Sequence, residues 1–209
     1  MRKAKIAVMV SGGGTNLQAL IDAEKSGIIK SGTIVLVISN NPDAYALHRA
    51  DEAGIKSVTI TKRDCGSQSA FETAIDAALI DAGAELVVLA GFMSILSESF
   101  TKKYDKRIIN VHPSLIPSFC GQGFYGLHVH EAVLASGVKL TGATVHFVTE
   151  DCDAGPIIAQ KAVPVLNGDT PESLQRRVME ECEWKILPEA VSLFCQGKIK
   201  ITGNKTEII

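Results

Sequence analysis

Two spacings alternate along this chain. Continuous apolar runs at 6–10, 34–38, 86–90 and 108–111, with a shorter one at 57–60, have the length of buried strands. Between them, segments 16–25, 43–53 and 69–82 read as helices, and each stops beside a glycine suited to a helix C-terminus: Gly27, Gly54 and Gly83. The stripe expected for 69–82 is Ala70, Phe71, Ala74, Ala77 and Ala78. Strand and helix in turn predict the α/β class: an open, mostly parallel twisted sheet with helices on both faces and a Rossmann-like N-terminal half. Beyond residue 140 the rhythm changes. The strand-like segments 141–149 and 157–165 have no helical segment between them and are expected to be antiparallel, joined by the acidic turn Glu150-Asp151-Cys152-Asp153-Ala154-Gly155-Pro156. Thr170 and Pro171 read as the N-cap and first position of a long helix to about Cys195, kinked or split by Pro188.

Where the run at 108–111 ends, the chain reads Asn110-Val111-His112-Pro113-Ser114-Leu115-Ile116-Pro117. Alternate strand residues share a face and Pro113 disfavours helix at His112, so the amide of Asn110 and the imidazole of His112 point into one site. An amide donor beside a group that passes protons suits the oxyanion of acyl-type transfer to or from a carbonyl carbon; the residues alone also fit a strand ending in a polar turn. In open α/β sheets the carboxyl edge is where ligands bind. An acid on the 150–156 turn could partner His112, and by spacing Asp151 and Asp153 serve equally.

Ser11-Gly12-Gly13-Gly14-Thr15-Asn16 joins the first strand to the first helix, where bare main chain and a helix N-terminus suit a phosphate, or form only a tight turn. It is not a P-loop, because Thr15-Asn16 stand where a lysine and hydroxyl are needed. Nor does it fit a dinucleotide fingerprint: the third glycine falls on Leu17, and the second strand ends in Ser39-Asn40 without an acid for a ribose. The expected guest is a phosphate monoester.

Composition narrows the classes further. The 209 residues form one expected domain, 1–209, and 21 basic against 23 acidic residues give a net charge of -2. That balance gives no support for nucleic-acid or membrane-surface binding, which leaves small molecules as partners. The apolar runs are too short to span a bilayer, and a cytoplasmic location is expected. Five scattered cysteines without a C-x-x-C pair fit reduced thiols, and with no H-E-x-x-H motif no metal is expected. Cys120 lies in a glycine-rich loop near the Asn/His pair, with nothing to mark it as activated.

The 110–117 segment, together with Val145-His146-Phe147-Val148-Thr149 and Asp153-Ala154-Gly155-Pro156, resembles the folate-dependent formyltransferases. Ser11-Gly12-Gly13-Gly14-Thr15-Asn16-Leu17 and Val88-Leu89-Ala90-Gly91-Phe92-Met93 narrow the likeness to the branch acting on phosphoribosylglycinamide, over nearly the whole chain. The resemblance implies transfer of a formyl group from the co-substrate 10-formyltetrahydrofolate to the amine of 5-phosphoribosylglycinamide in de novo purine biosynthesis, by a monomer or homodimer. It implies that Asn110 and His112 stabilise the oxyanion, His112 donating a proton, while Asp153 raises the His112 pKa and assists proton shuttling. It assigns the substrate to Gly13, Gly14, Thr15, Asn16, Pro113 and Glu183, the last with spacing one residue longer than in relatives. It assigns the folate to Met93, Ser94, Ile95 and Leu96, with Asn110, Val148, Asp151 and Gln68. On this reading 1–110 is a phosphate-binding half and 111–209 a folate and catalytic half.

Ser94 and Gln68 stand where many relatives carry arginine, which argues against an ion pair to the folate glutamate tail. The loop 118–126 is longer than in many relatives and reads as a mobile lid. His128 and His130 are expected to begin a helix, His128 the nearer to the site, and His146 to serve a structural hydrogen bond. Three rivals stand beside this reading. Formyltetrahydrofolate hydrolase uses a similar Asn/His/Asp set but carries an extra amino-terminal domain. Formylation of initiator tRNA needs a basic surface and a further carboxyl-terminal domain. A non-catalytic phosphate-ester-binding module would leave Asn110, His112 and Asp153 idle.

Overall fold

The computed structural model describes residues 2–209. Strand β1 (Ala4–Val10) turns through the glycines into α1 (Thr15–Lys25), followed by β2 (Gly32–Ser39), α2 (Tyr45–Glu52), β3 (Ser57–Thr59), the short α3 (Lys62–Cys65), α4 (Gln68–Ala82) and β4 (Leu86–Leu89). After α5 (Glu98–Lys103) and β5 (Ile108–His112) come α6 (Leu127–Ser136), β6 (Leu140–Phe147), β7 (Ile157–Pro164) and α7 (Pro171–Val178). A π-helical turn (Met179–Glu183) leads into α8 (Trp184–Cys195), and β8 (Ile199–Thr202) with β9 (Lys205–Ile208) closes the chain as a separate hairpin. The main sheet runs β3-β2-β1-β4-β5-β6-β7. Its β1 to β5 pairings are parallel and those of β5-β6 and β6-β7 antiparallel.

Strand alternation divides the core between the two faces. Ile6, Val8 and Val10 join α1, α8 and the inner face of β6 in one cluster, while Ala7, Met9, Leu36 and Ile38 pack against α4 in the other. A strand apolar at every position is therefore covered on both sides, as its sequence requires. The order reverses between β2-β1 and β4-β5, so the loops after β1 and β4 diverge and open a crevice at the carboxyl edge.

Three expectations are corrected, and three features went unread. The buried stripe of α4 is Phe71, Ile75 and Leu79 with the carboxylate-bearing Glu72, while Ala70 and Ala77 face solvent. Large side chains bury more area than alanines, and they set which face turns inward. Strand β6 ends at Phe147, two residues short of the expected end, and in the turn that follows the Thr149 hydroxyl donates to the Asp151 carbonyl. The final helix breaks at Met179–Glu183, and Pro188 lies inside α8. Finally, α3, α5 and the β8-β9 hairpin have no counterpart in the sequence reading, whereas Thr170 caps α7 as expected, in a capping box with Ser173.

Candidate active site

The loops that leave β1, β4 and β5 meet the 148–153 turn and the π-helical turn around one cleft of about 820 Å³. The glycine loop forms one wall, and α2 shapes it from behind. Ala46 N donates to the Gly12 carbonyl at 3.1 Å and Arg49 Nε to the Gly13 carbonyl at 2.8 Å. A side chain at Gly14, whose φ is 70°, would stand 2.6 Å from Ala46 Cβ, so only glycine fits against that helix. Gly12 and Gly13 have open space where a Cβ would stand, and no side chain caps α1. With its carbonyls held by α2 and its first amides uncapped, the turn offers an anion its donor edge.

The opposite wall carries the reactive side chains. His112, only 4% exposed, donates through Nε2 to the Phe119 carbonyl at 2.9 Å, because a carbonyl can only accept. In the neutral ring Nδ1 is then the free base, and it faces Asp153 Oδ2 at 3.5 Å. The Gly121 amide donates to the same Oδ2 at 2.9 Å. His146 donates from Nδ1 to the Phe147 carbonyl at 2.9 Å, and its Nε2 lies 3.2 Å from Asn110 Nδ2 and 3.5 Å from Asp153 Oδ1; in the neutral ring that nitrogen accepts from the Asn110 amide. That bond uses one of the two Asn110 amide hydrogens and leaves the other for a ligand.

Burial is the largest influence on His112. It outweighs the upward pull of Asp153 and of the Phe119 carbonyl, so the imidazole titrates below its ordinary 6.5. Asp153 pulls the His112 pKa upward, as the resemblance implies, but burial makes the net shift downward, which favours the neutral ring near pH 7. Asp153 is also buried, which would raise it, yet His146 beside its Oδ1 at 3.5 Å, a positive charge on His112 when one forms, and the Gly121 amide all favour the ionised form and hold its carboxyl at about 2.

Glu183 reaches the cleft from the end of the π-helical turn and accepts from Asn16 Nδ2 at 2.6 Å. Burial pushes its carboxyl up to about 7 against that hydrogen bond. The Trp184 amide bonds five residues back, to Met179, so the wide turn absorbs one extra residue without re-phasing α8. The lengthened spacing before Glu183 thereby still delivers its side chain to Asn16.

Gly13, Gly14, Thr15, Asn16, Asn110, His112, Pro113, Asp153 and Glu183 all line this cleft, as do Met93, Ser94, Ile95, Leu96 and Val148. Met93 and Ile95 are half or more exposed, Leu96 is buried, and Ser94 Oγ accepts from Asn40 Nδ2 at 2.7 Å. Gln68 and Asp151 lie outside the lining. Gln68 donates to Glu72 and to the Ile95 carbonyl, buttressing the 93–96 loop from outside, and Asp151 is an exposed turn residue whose carbonyl accepts from Thr149 and Ala154. The choice between the two acids of the turn thus falls on Asp153.

The sequence reading missed His130. Its neighbour His128 is exposed and paired with Glu131 at 3.0 Å, away from the cleft, whereas His130 lines it, fully buried with both ring nitrogens unpartnered among the described residues. Burial and the nearby His112 push its pKa down to about 4. Position on α6 was the available signal: Val129, His130 and Val133 share the inward side, and His128 does not. Among the described residues no cluster of three His, Cys, Asp or Glu could hold a metal, and no helix is long and apolar enough to cross a membrane.

The fold and the cleft define a formyl-transferring class, and the chain belongs to the formyl transferase family, whose model matches residues 4–191. Its relatives narrow that class. It is 41% identical over 199 residues to the phosphoribosylglycinamide formyltransferase of Escherichia coli, covering 95% of this chain and 91% of that one. A crystal structure of glycinamide ribonucleotide transformylase 1 from Symbiobacterium toebii superposes with a TM-score of 0.93 at 43% identity, over 99% of this chain and 94% of the other. The trifunctional purine biosynthetic protein adenosine-3 of Gallus gallus is 46% identical over 95% of this chain, which spans 19% of that protein's length.

Proposed function

We propose that this chain transfers the formyl group of 10-formyltetrahydrofolate to the amine of 5-phosphoribosylglycinamide, a step of de novo purine biosynthesis. The observation that carries the reading is a single cleft lined at once by an anion-ready glycine turn and by Asn110, His112 and Asp153. The phosphate sits on Gly13 to Asn16, with Glu183 and Pro113 contacting the rest of the substrate. The folate lies along Met93 to Leu96 and Val148, whose apolar side chains suit its ring while Asn110 reaches the formyl oxygen.

As the amine attacks the formyl carbon, the second Asn110 amide hydrogen stabilises the developing oxyanion. Neutral His112 takes the amine proton at Nδ1 and becomes an imidazolium facing the Asp153 carboxylate. It then returns that proton to the folate nitrogen as the carbon–nitrogen bond breaks. Proton transfer therefore begins with His112 as base, and its role as donor follows. Holding both substrates in one pocket supplies the remaining acceleration.

The test follows formyl release from 10-formyltetrahydrofolate with phosphoribosylglycinamide, with glycinamide riboside lacking phosphate, and with no amine. Transfer that needs the amine and weakens without the phosphate supports the reading. Formate release independent of the amine would assign the site to hydrolysis, and folate-free phosphate-ester binding would leave it non-catalytic.

A further inference from the structure

Both members of the His112–Asp153 pair are tethered to the same short stretch of main chain. The Phe119 carbonyl accepts from His112 Nε2 at 2.9 Å, and two residues on the Gly121 amide donates to Asp153 Oδ2 at 2.9 Å. Phe119 holds its carbonyl there in a left-handed backbone, φ 52°, which an aromatic residue rarely adopts and which persists only when its surroundings impose it. Those surroundings are visible. Ser114, fully buried, donates to the Ser118 carbonyl at 2.6 Å. Thr144 of β6 donates to the Ser114 carbonyl at 2.7 Å and accepts from the Ile116 amide at 3.1 Å, and Gln160 of β7 donates to Thr144 and to the Ile116 carbonyl. The chain is pinned to the sheet up to Ser118, and beyond the Gly121 tether to Asp153 it turns on positive φ at Gly121, Gly123 and Gly126.

We propose that Phe119 and Gly121 are positioning residues of the reaction, acting through main chain: the Phe119 carbonyl fixes which nitrogen of His112 carries hydrogen, and the Gly121 amide aims the Asp153 carboxylate at the other. This rests on the formyl-transfer reading and adds a role for the 118–126 loop beyond covering the cleft. Without the Phe119 acceptor, the ring is free to place its hydrogen on Nδ1, where it cannot take the amine proton. The Asp153 side chain, released from Gly121, loses the donor that keeps its charge in place.

The experiment separates backbone conformation from side-chain packing at Phe119. Asparagine tolerates the left-handed region but gives up the ring contact with Phe124, while isoleucine keeps apolar bulk and resists that region. His112 imidazole nitrogen shifts are read by NMR in the resting protein, beside the pH profile of kcat. Asp153, His146 and His130 are the titrating groups facing the ring, and their own resonances are followed as controls. Phe119→Asn is expected to keep hydrogen on Nε2, and Phe119→Ile to populate both tautomers with kcat about 5- to 30-fold lower and KM held. The reverse order, or an unchanged Nε2–H signal in Phe119→Ile, overturns the proposal.

Should Phe119→Ile not fold, an ester in place of the Gly121 amide removes that donor and no side chain. The carbon-13 titration of Asp153 should then move upward, and an unmoved titration overturns the Gly121 half. The nitrogen and carbon signals stand whether or not formyl transfer is the reaction, whereas loss of amine-dependent release in wild-type protein would count against the reaction alone.

Discussion

The two walls of the cleft use main chain in opposite ways. On the glycine-loop side the peptide groups line the open cleft, their carbonyls drawn back by Ala46 and Arg49 of α2. On the side of the 118–126 loop they face the protein's own His112 and Asp153, through Phe119 and Gly121. The first wall has no room for a side chain at Gly14, which meets Ala46, and leaves the main chain of Gly12 and Gly13 bare, as the proposed phosphate seat at Gly13 to Asn16 requires. The second needs side chains of fixed tautomer and charge, and a strained loop supplies the fixing. Binding and chemistry are thereby separable by mutation.

The largest effect breaks the second wall. His112→Ala should lower kcat about 10²- to 10⁴-fold with substrate binding retained, and steady-state kinetics that leave kcat intact would contradict the assignment. In the proposed mechanism the neutral ring is the base and burial holds its pKa below 6.5, so wild-type kcat should fall as pH drops through that range and stay level above it. A kcat rising toward acid pH would instead make the imidazolium the active form.

Gly14→Ala strikes the first wall. A clash at 2.6 Å and strain at φ 70° should raise KM for the phosphorylated amine about 10- to 100-fold while kcat at saturation changes little. Glu183 sharpens the comparison through stability. Its native pKa of about 7 lies above the ordinary 4.5, so between those values the unfolded chain releases a proton that the native state keeps. Native stability therefore declines as pH rises through this window, by at most about 3 kcal/mol. Glu183→Gln should escape that decline, gaining in melting temperature over wild type from pH 5 to pH 8; a constant difference would contradict the raised pKa.

The smallest effect on the cleft marks its limit. Asp169 accepts from both Arg177 terminal nitrogens at 2.6 Å and from the Leu166 amide at 2.7 Å, outside either wall. Asp169→Asn should cost about 2 kcal/mol in thermal unfolding while kcat and KM hold.

Much of this was readable in the chain because local physics fixed it. Runs such as Ile6 to Val10 are apolar on both faces and fit only a covered strand, Asn110 and His112 share a face by alternation, and Thr170-Pro171 carries its own cap. What escaped depended on distant contacts. The hairpin β8-β9 has strands of only four residues on either side of Gly203-Asn204, and what holds it is remote: Ile199 and Ile201 pack against the core, and Thr206 donates to the Ile157 carbonyl. The π-helical turn is a matter of one residue's spacing, legible only once Asn16 shows where Glu183 must point. His130 was indistinguishable from His128 until the helix phase was known, and the direction of the His112 shift needed burial as well as a partner.

Calorimetric binding of phosphoribosylglycinamide to His112→Ala and to Gly14→Ala, side by side with wild type, tests the division between the walls most directly. The account predicts near wild-type affinity for His112→Ala and a loss of about tenfold or more for Gly14→Ala. Affinity lost in His112→Ala and kept in Gly14→Ala would contradict it.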